Sequence, residues 1–120
     1  MLRAKFAREA NIINCCLIYQ KMTKTEKHHV DSVASVGCVI CRKYEDVVTP
    51  CEIHHIGEGS GQRSNFMVAG LCERHHRTGS VSLHGAGIKR FLMIFNLPTE
   101  YHLLDLVNKY RAIDELHGRR

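Results

Sequence analysis

The chain has 120 residues, enough for one domain with a core of moderate size, and its 17 Lys and Arg against 12 Asp and Glu leave a net charge of +5 and a pI near 9.0. A surface of that sign attracts polyanions, which favours nucleic acid as a partner without requiring it. Ile12 to Tyr19 is an apolar stretch of eight residues broken by Asn14, too short to cross a bilayer, and Glu9 with the lack of a small-residue cleavage site argues against a signal peptide.

Residues 1–21 read as an N-terminal extension, amphipathic or disordered and outside the core, and Met22 offers an alternative start. Thr23-Lys24-Thr25-Glu26 has capping-box spacing, Val30, Val33 and Ala34 follow on one helical face, and Gly37 is a typical terminator. A helix from about Thr23 to Val36 is expected. A cysteine turn comes next, and after Pro50 the run Cys51 to Ile56 reads as a short strand. Gly57, Gly59, Ser60 and Gly61 make a loop, and Phe66 to Leu71 reads as a second strand leading into Cys72, so a β-hairpin should feed a helix. Leu83 to Gly87 looks like a small-residue turn. Ile88, Phe91, Leu92 and Phe95 recur at helical spacing up to Pro98, and Thr99 can cap a last helix burying Leu103, Leu104, Val107 and Tyr110.

Two pairs carry metal-ligand spacing: Cys38-x-x-Cys41 and Cys72-x-x-His75, separated by 30 residues, which leaves room for a hairpin. Thiolate mixed with imidazole points to a structural zinc ion instead of disulfides, and therefore to a reducing cytosol. Cys15, Cys16 and Cys51 lack such partners and read as small apolar filler or as a disordered accident, not as ligands.

Five of the nine histidines, His54, His55, His75, His76 and His84, fall within 31 residues. Neighbours on a strand face opposite ways, so His54 and His55 must divide labour, one binding metal and the other serving as a general base. Neighbours on a helix are rotated by about 100°, so His75 can complete the zinc set while His76 turns toward a second ion. An open catalytic site usually needs three protein ligands, and His84 in its turn can be the third. His28, His29, His102 and His117 read as surface residues.

A strand carrying a His-His pair, a Gly-rich loop, a Leu-Cys-x-x-His-His helix and an upstream cysteine knuckle resemble the HNH nuclease superfamily with its ββα-metal core. More narrowly, Gly37 to Arg42, Thr49 to Ile56, Gly61-Gln62-Arg63 and Leu71 to Gly79 resemble the phage recombination enhancement function (Ref) family of RecA-dependent nucleases, from about Met22 to the C-terminus. The resemblance implies an α+β fold, a small zinc-stabilised ββα-metal (His-Me finger) core with flanking helices over residues 22–120. It makes His55 the base, with His54, His76 and His84 holding a catalytic divalent metal, magnesium or manganese. It also implies DNA as substrate, RecA filaments as partner and single-metal phosphodiester hydrolysis. Arg63, Arg74 and Arg77 flank that site and are candidates for holding phosphate oxygens. One departure is visible: the asparagine expected nine residues before His76 is Met67, with Asn65 two residues away. A reading of a different class is a non-catalytic zinc module that binds DNA or a protein partner.

Overall fold

The computed structural model describes residues 19–57 and 64–118. Helix α1 (Lys24–Val36) begins at a complete capping box: the Glu26 N–H donates to Thr23 Oγ1 at 3.1 Å, and the Thr23 N–H donates to Glu26 Oε1 at 2.8 Å. Two of the four orphan N–H groups of the first turn are thereby satisfied. Gly37, at φ +82°, ends the helix, and α2 (Val39–Glu45) starts at once with Cys38 as its N-cap.

Strands β1 (Glu52–His55) and β2 (Val68–Leu71) pair antiparallel, with Glu52 opposite Leu71, Ile53 opposite Gly70, His54 opposite Ala69 and His55 opposite Val68. Every residue of β2 is buried, because α1 and α6 pack on it. The approach is close at Gly70, where a Cβ would lie 2.6 Å from Cys51 Sγ and 2.6 Å from the Gly37 carbonyl oxygen, so only glycine fits. Cys51 is accordingly a buried filler seated on that glycine. Three short helices follow, α3 (Glu73–His76), α4 (Leu83–Ala86) and α5 (Ile88–Ile94), and then the long α6 (His102–Leu116). The result is a small α+β fold: a hairpin, a helix after it, and helices around both. Among the described residues no helix is long and apolar enough to cross a membrane.

Three expectations need correction or restriction. The extension is described only from Tyr19, which is helical, packs against the core and donates its hydroxyl to the Asp31 carboxylate at 3.0 Å; Cys15 and Cys16 lie outside the described residues. Leu83 to Ala86 is a helical turn, because the Ser82 hydroxyl accepts the Gly85 N–H at 2.9 Å. Thr99 does not cap α6. Bonds from His102 to Thr99, Leu103 to Glu100 and Leu104 to Tyr101 wind a tight first turn instead, and the His102 ring accepts the Thr99 N–H at 3.3 Å.

Helix α6 is tied to α2 by a bidentate pair, Arg42 to Asp114 at 2.8 Å through both guanidinium nitrogens, with side chains 9% and 2% exposed. The Tyr110 ring lies 4.6 Å from the guanidinium carbon. Breaking a buried pair strands one charge in a dry environment. Asp114→Ala is therefore expected to lower stability by about 3–5 kcal/mol in urea denaturation, and Arg42→Met with Asp114→Leu to recover most of it. A single variant as stable as the wild type would mean that the apolar face alone holds α6.

Candidate functional site

The fold draws Cys38, Cys41, Cys72 and His75 into one buried cluster from the N-cap and first turn of α2 and from the N-cap and body of α3. Its separations are Cys41 Sγ to Cys72 Sγ 3.7 Å, and from His75 Nδ1 to the sulfurs of Cys38, Cys41 and Cys72 3.5, 3.6 and 3.2 Å. Sulfur and nitrogen ligands at the usual zinc distances, set at tetrahedral corners, give S–S edges of about 3.8 Å and S–N edges of about 3.6 Å. The cluster matches those edges, whereas a disulfide needs sulfurs at about 2.05 Å. It can hold a structural metal such as zinc.

The chemistry of the donors agrees with the geometry. A hydrogen bond from the Cys38 thiol, reinforced by the His75 ring, holds the Cys72 thiol down at about 3 against the burial that opposes it, and Cys38 is pushed up in exchange. Crowded thiols that cannot each keep a proton in a dry core are suited to a cation. The Phe95 ring, 5.3 Å from that of His75 in an edge-on contact, covers the cluster.

A second cluster lies on the other side of α3. His54 on β1, His76 on α3 and His84 on α4 bring a ring nitrogen each within 4.8 Å of one another, with ring centroids 4.8 to 5.6 Å apart. Three imidazoles binding one ion at about 2.0–2.1 Å put their centroids about 5 Å apart, so the rings are grouped closely enough that they could hold one. The 100° step along α3 is what sends His75 to one cluster and His76 to the other. Ala69, opposite His54, leaves room for the rings.

Each inner histidine has a carboxylate behind it. His54 Nε2 lies 2.7 Å from Glu100 Oε2, and His76 Nδ1 lies 2.8 Å from Glu52 Oε1. Burial alone would raise the Glu52 carboxyl, but hydrogen bonds and charge from Arg77 and His76 outweigh it and hold the group at about 2. His54 is pulled down to about 4, first by burial and then by its histidine neighbours, against the opposing pull of Glu100. It is thus a neutral ring near pH 7, the form that binds metal. Its Nδ1 is the one buried side-chain nitrogen or oxygen without a hydrogen-bond partner among the described residues. Leaving such an atom unmatched costs about 1–3 kcal/mol, which a ligated cation would remove.

His55 takes a different path. Its Nε2 lies 2.9 Å from Asn65 Oδ1, and Asn65 Nδ2 donates to Glu26 Oε2 at 3.2 Å. Glu26 can only accept, which fixes the orientation of the Asn65 amide and so makes His55 the donor at Nε2. Hydrogen bonds from the Thr23 backbone and the Asn65 amide hold the Glu26 carboxyl below its ordinary value.

The basic candidates are placed as follows. Arg77 is engaged twice by Glu52, through Nε at 2.7 Å and Nη2 at 2.5 Å. Arg74 pairs with Glu45 in an exposed contact. Arg63 lies outside the described residues. Sequence reasoning overlooked the acids. Glu52 was legible, being two residues before His54 and so on its face of β1. Glu100, 46 residues from His54, left no local signal.

The full chain should carry about one tightly held zinc, and Cys41→Ser or Cys72→Ser should lose it together with the fold, because metal affinity here is folding energy. Elemental analysis with circular dichroism checks this. Folded, zinc-free wild-type protein would remove the staple from the account.

No curated protein and no solved structure matches the chain at a significant level. The family described as recombination enhancement, RecA-dependent nuclease matches residues 22–98, a span that runs from just before the capping box of α1 to four residues past the end of α5 and takes in both clusters and the Asn65 contact. With most of its length so matched, the chain belongs to the recombination enhancement, RecA-dependent nuclease family.

Proposed function

We propose that the protein is a metal-dependent DNA endonuclease of the HNH (His-Me finger) type that acts in recombination on DNA bearing RecA filaments. The observation that carries the reading is the division of the adjacent strand histidines: His54 joins His76 and His84, while His55 is held through Nε2 by Asn65. A binding module has no use for that split. The family description supplies nuclease, recombination and RecA.

In this reading Cys38, Cys41, Cys72 and His75 hold a structural zinc, and His54, His76 and His84 would hold the catalytic ion. When bound, that ion, magnesium or manganese in the cell, supplies a Lewis acid for charge on the phosphate and the leaving 3′ oxygen. Neutral imidazoles leave the full charge of a divalent ion on the site, which favours a phosphodiester, and a magnesium ion would complete its shell with oxygens from water and substrate.

His55 is the general base. The proton it gives to Asn65 sits on Nε2, so the basic lone pair is on Nδ1, and that nitrogen takes the proton from water as it attacks phosphorus. Asn65 fixes the ring, and Glu26 fixes Asn65, so a helix cap orients the base. Asn65 thereby fills the orienting role of the missing motif asparagine. Arg63 and Arg74 are the basic side chains for phosphate: an exposed pair such as Arg74 with Glu45 exchanges partners at small cost. Arg77 has a less direct share in phosphate binding, since its pairing with Glu52 steadies the acid behind His76.

His55→Ala should keep zinc content, DNA binding and melting temperature while cleavage in the presence of RecA filaments falls by about 10² to 10⁴, the usual contribution of a positioned base. His54→Ala should lose activity in a way that high manganese partly restores, because added metal compensates a weakened site and not a missing base. Undiminished cleavage by His55→Ala, or equal rescue of the two variants, would shift the assignment to a non-catalytic zinc module.

A further inference from the structure

Glu100 lies in the turn before α6, past the last residue matched by the family. Its carboxylate serves two partners: Oε2 meets His54 Nε2 at 2.7 Å, and Oε1 accepts the Gly57 N–H at 3.3 Å, just after β1 ends. Glu100 therefore grips both a ring of the histidine trio and the chain leaving that ring's strand. The His54 side chain is 2% exposed and that of Glu100 21%, so the contact is shielded from water on the histidine side.

A neutral imidazole has one proton for two nitrogens, and a carboxylate can only accept. With Glu100 on Nε2, the proton sits there and Nδ1 is left as a lone pair. That Nδ1 is the buried nitrogen without a hydrogen-bond partner. The other tautomer would point a proton into the trio and leave two acceptors facing each other at Nε2. We infer that Glu100 is a positioning residue for the trio: it selects the Nε2–H tautomer of His54, fixes the ring's orientation and presents Nδ1 as a metal ligand. This rests on reading His54, His76 and His84 as a metal site. Helix α6 has other anchors in Leu103, Leu106 and the Arg42–Asp114 pair, so the His54 contact is not what holds the helix on the fold.

The test uses the full-length, zinc-loaded protein with manganese(II) as probe. Long-range proton–nitrogen NMR on wild type before manganese addition should show His54 as the Nε2–H tautomer. Titration of manganese(II), followed by electron paramagnetic resonance, should give a dissociation constant that rises about 10- to 100-fold in Glu100→Ala, the usual effect of removing the group behind a ligating histidine. Glu100→Gln should lie between, since its carbonyl can still accept. Zinc content and melting temperature should stay near wild type in both variants, which separates positioning from a structural role. An Nδ1–H tautomer in wild type, or manganese binding by Glu100→Ala equal to wild type, overturns the inference and leaves the metal site standing. Should wild type bind no manganese beyond what a His54→Ala, His84→Ala double variant binds, the metal reading itself falls and the inference with it. The wild-type tautomer needs no variant, so poor folding of Glu100→Ala would still leave a decisive measurement.

Discussion

A two-stranded sheet of four residues per strand cannot hold itself together in water, and two helices of thirteen and fifteen residues give it only part of a core. The gathering of Cys38, Cys41, Cys72 and His75 is the constraint on which the rest depends. It joins the start of α2 to the start of α3, the two ends that flank the hairpin in sequence, and so closes a segment of more than thirty residues around β1 and β2. Everything that positions the histidine trio, namely the strand, the four-residue helix and the turn after it, is attached to that closure. A helix of one turn has no independent stability. A metal held by Cys72 and His75 would fasten helix α3 on one side and leave His76 presented on the other.

The strand pleat does the second piece of work. Two adjacent histidines on β1 enter separate polar networks, one with Glu100 and the trio, the other with Asn65 and Glu26. Under the proposed function one of them would be a base and the other a ligand, which need different environments, and alternation across a strand is the shortest route to giving neighbours different environments. The acids follow the same logic. Glu52 and Glu100 stand behind rings instead of in the trio, so each carboxylate holds a ring in place while the trio itself stays all imidazole.

The net charge of +5 is compatible with the nucleic-acid partner that family membership suggests, yet among the described residues Arg74 and Arg77, on and just after α3, are engaged with carboxylates. Charge on these two side chains is thus partly neutralised within the protein.

Periodicity and spacing alone determined much of this protein. The capping box at Thr23 and Glu26, the two ligand pairs, the hairpin feeding a helix and the apolar stripe of Ile88 to Phe95 are all local patterns, and local patterns are written in consecutive residues. The opposite facing of His54 and His55 and the split of His75 from His76 were legible for the same reason, since each follows from the rotation between neighbours. What only the tertiary structure decided is which distant groups complete those patterns. Asn65 reaches His55 because a loop brings it there, Arg42 finds Asp114 across seventy-two positions, and Glu100 meets His54 because a tight turn at the head of α6 carries it over the end of β1. A hydrogen bond depends on a few tenths of an ångström and on direction. Residues far apart in sequence acquire that relation only when the intervening elements pack, which is why the two clusters could be read from the chain and Glu100, behind one of them, could not.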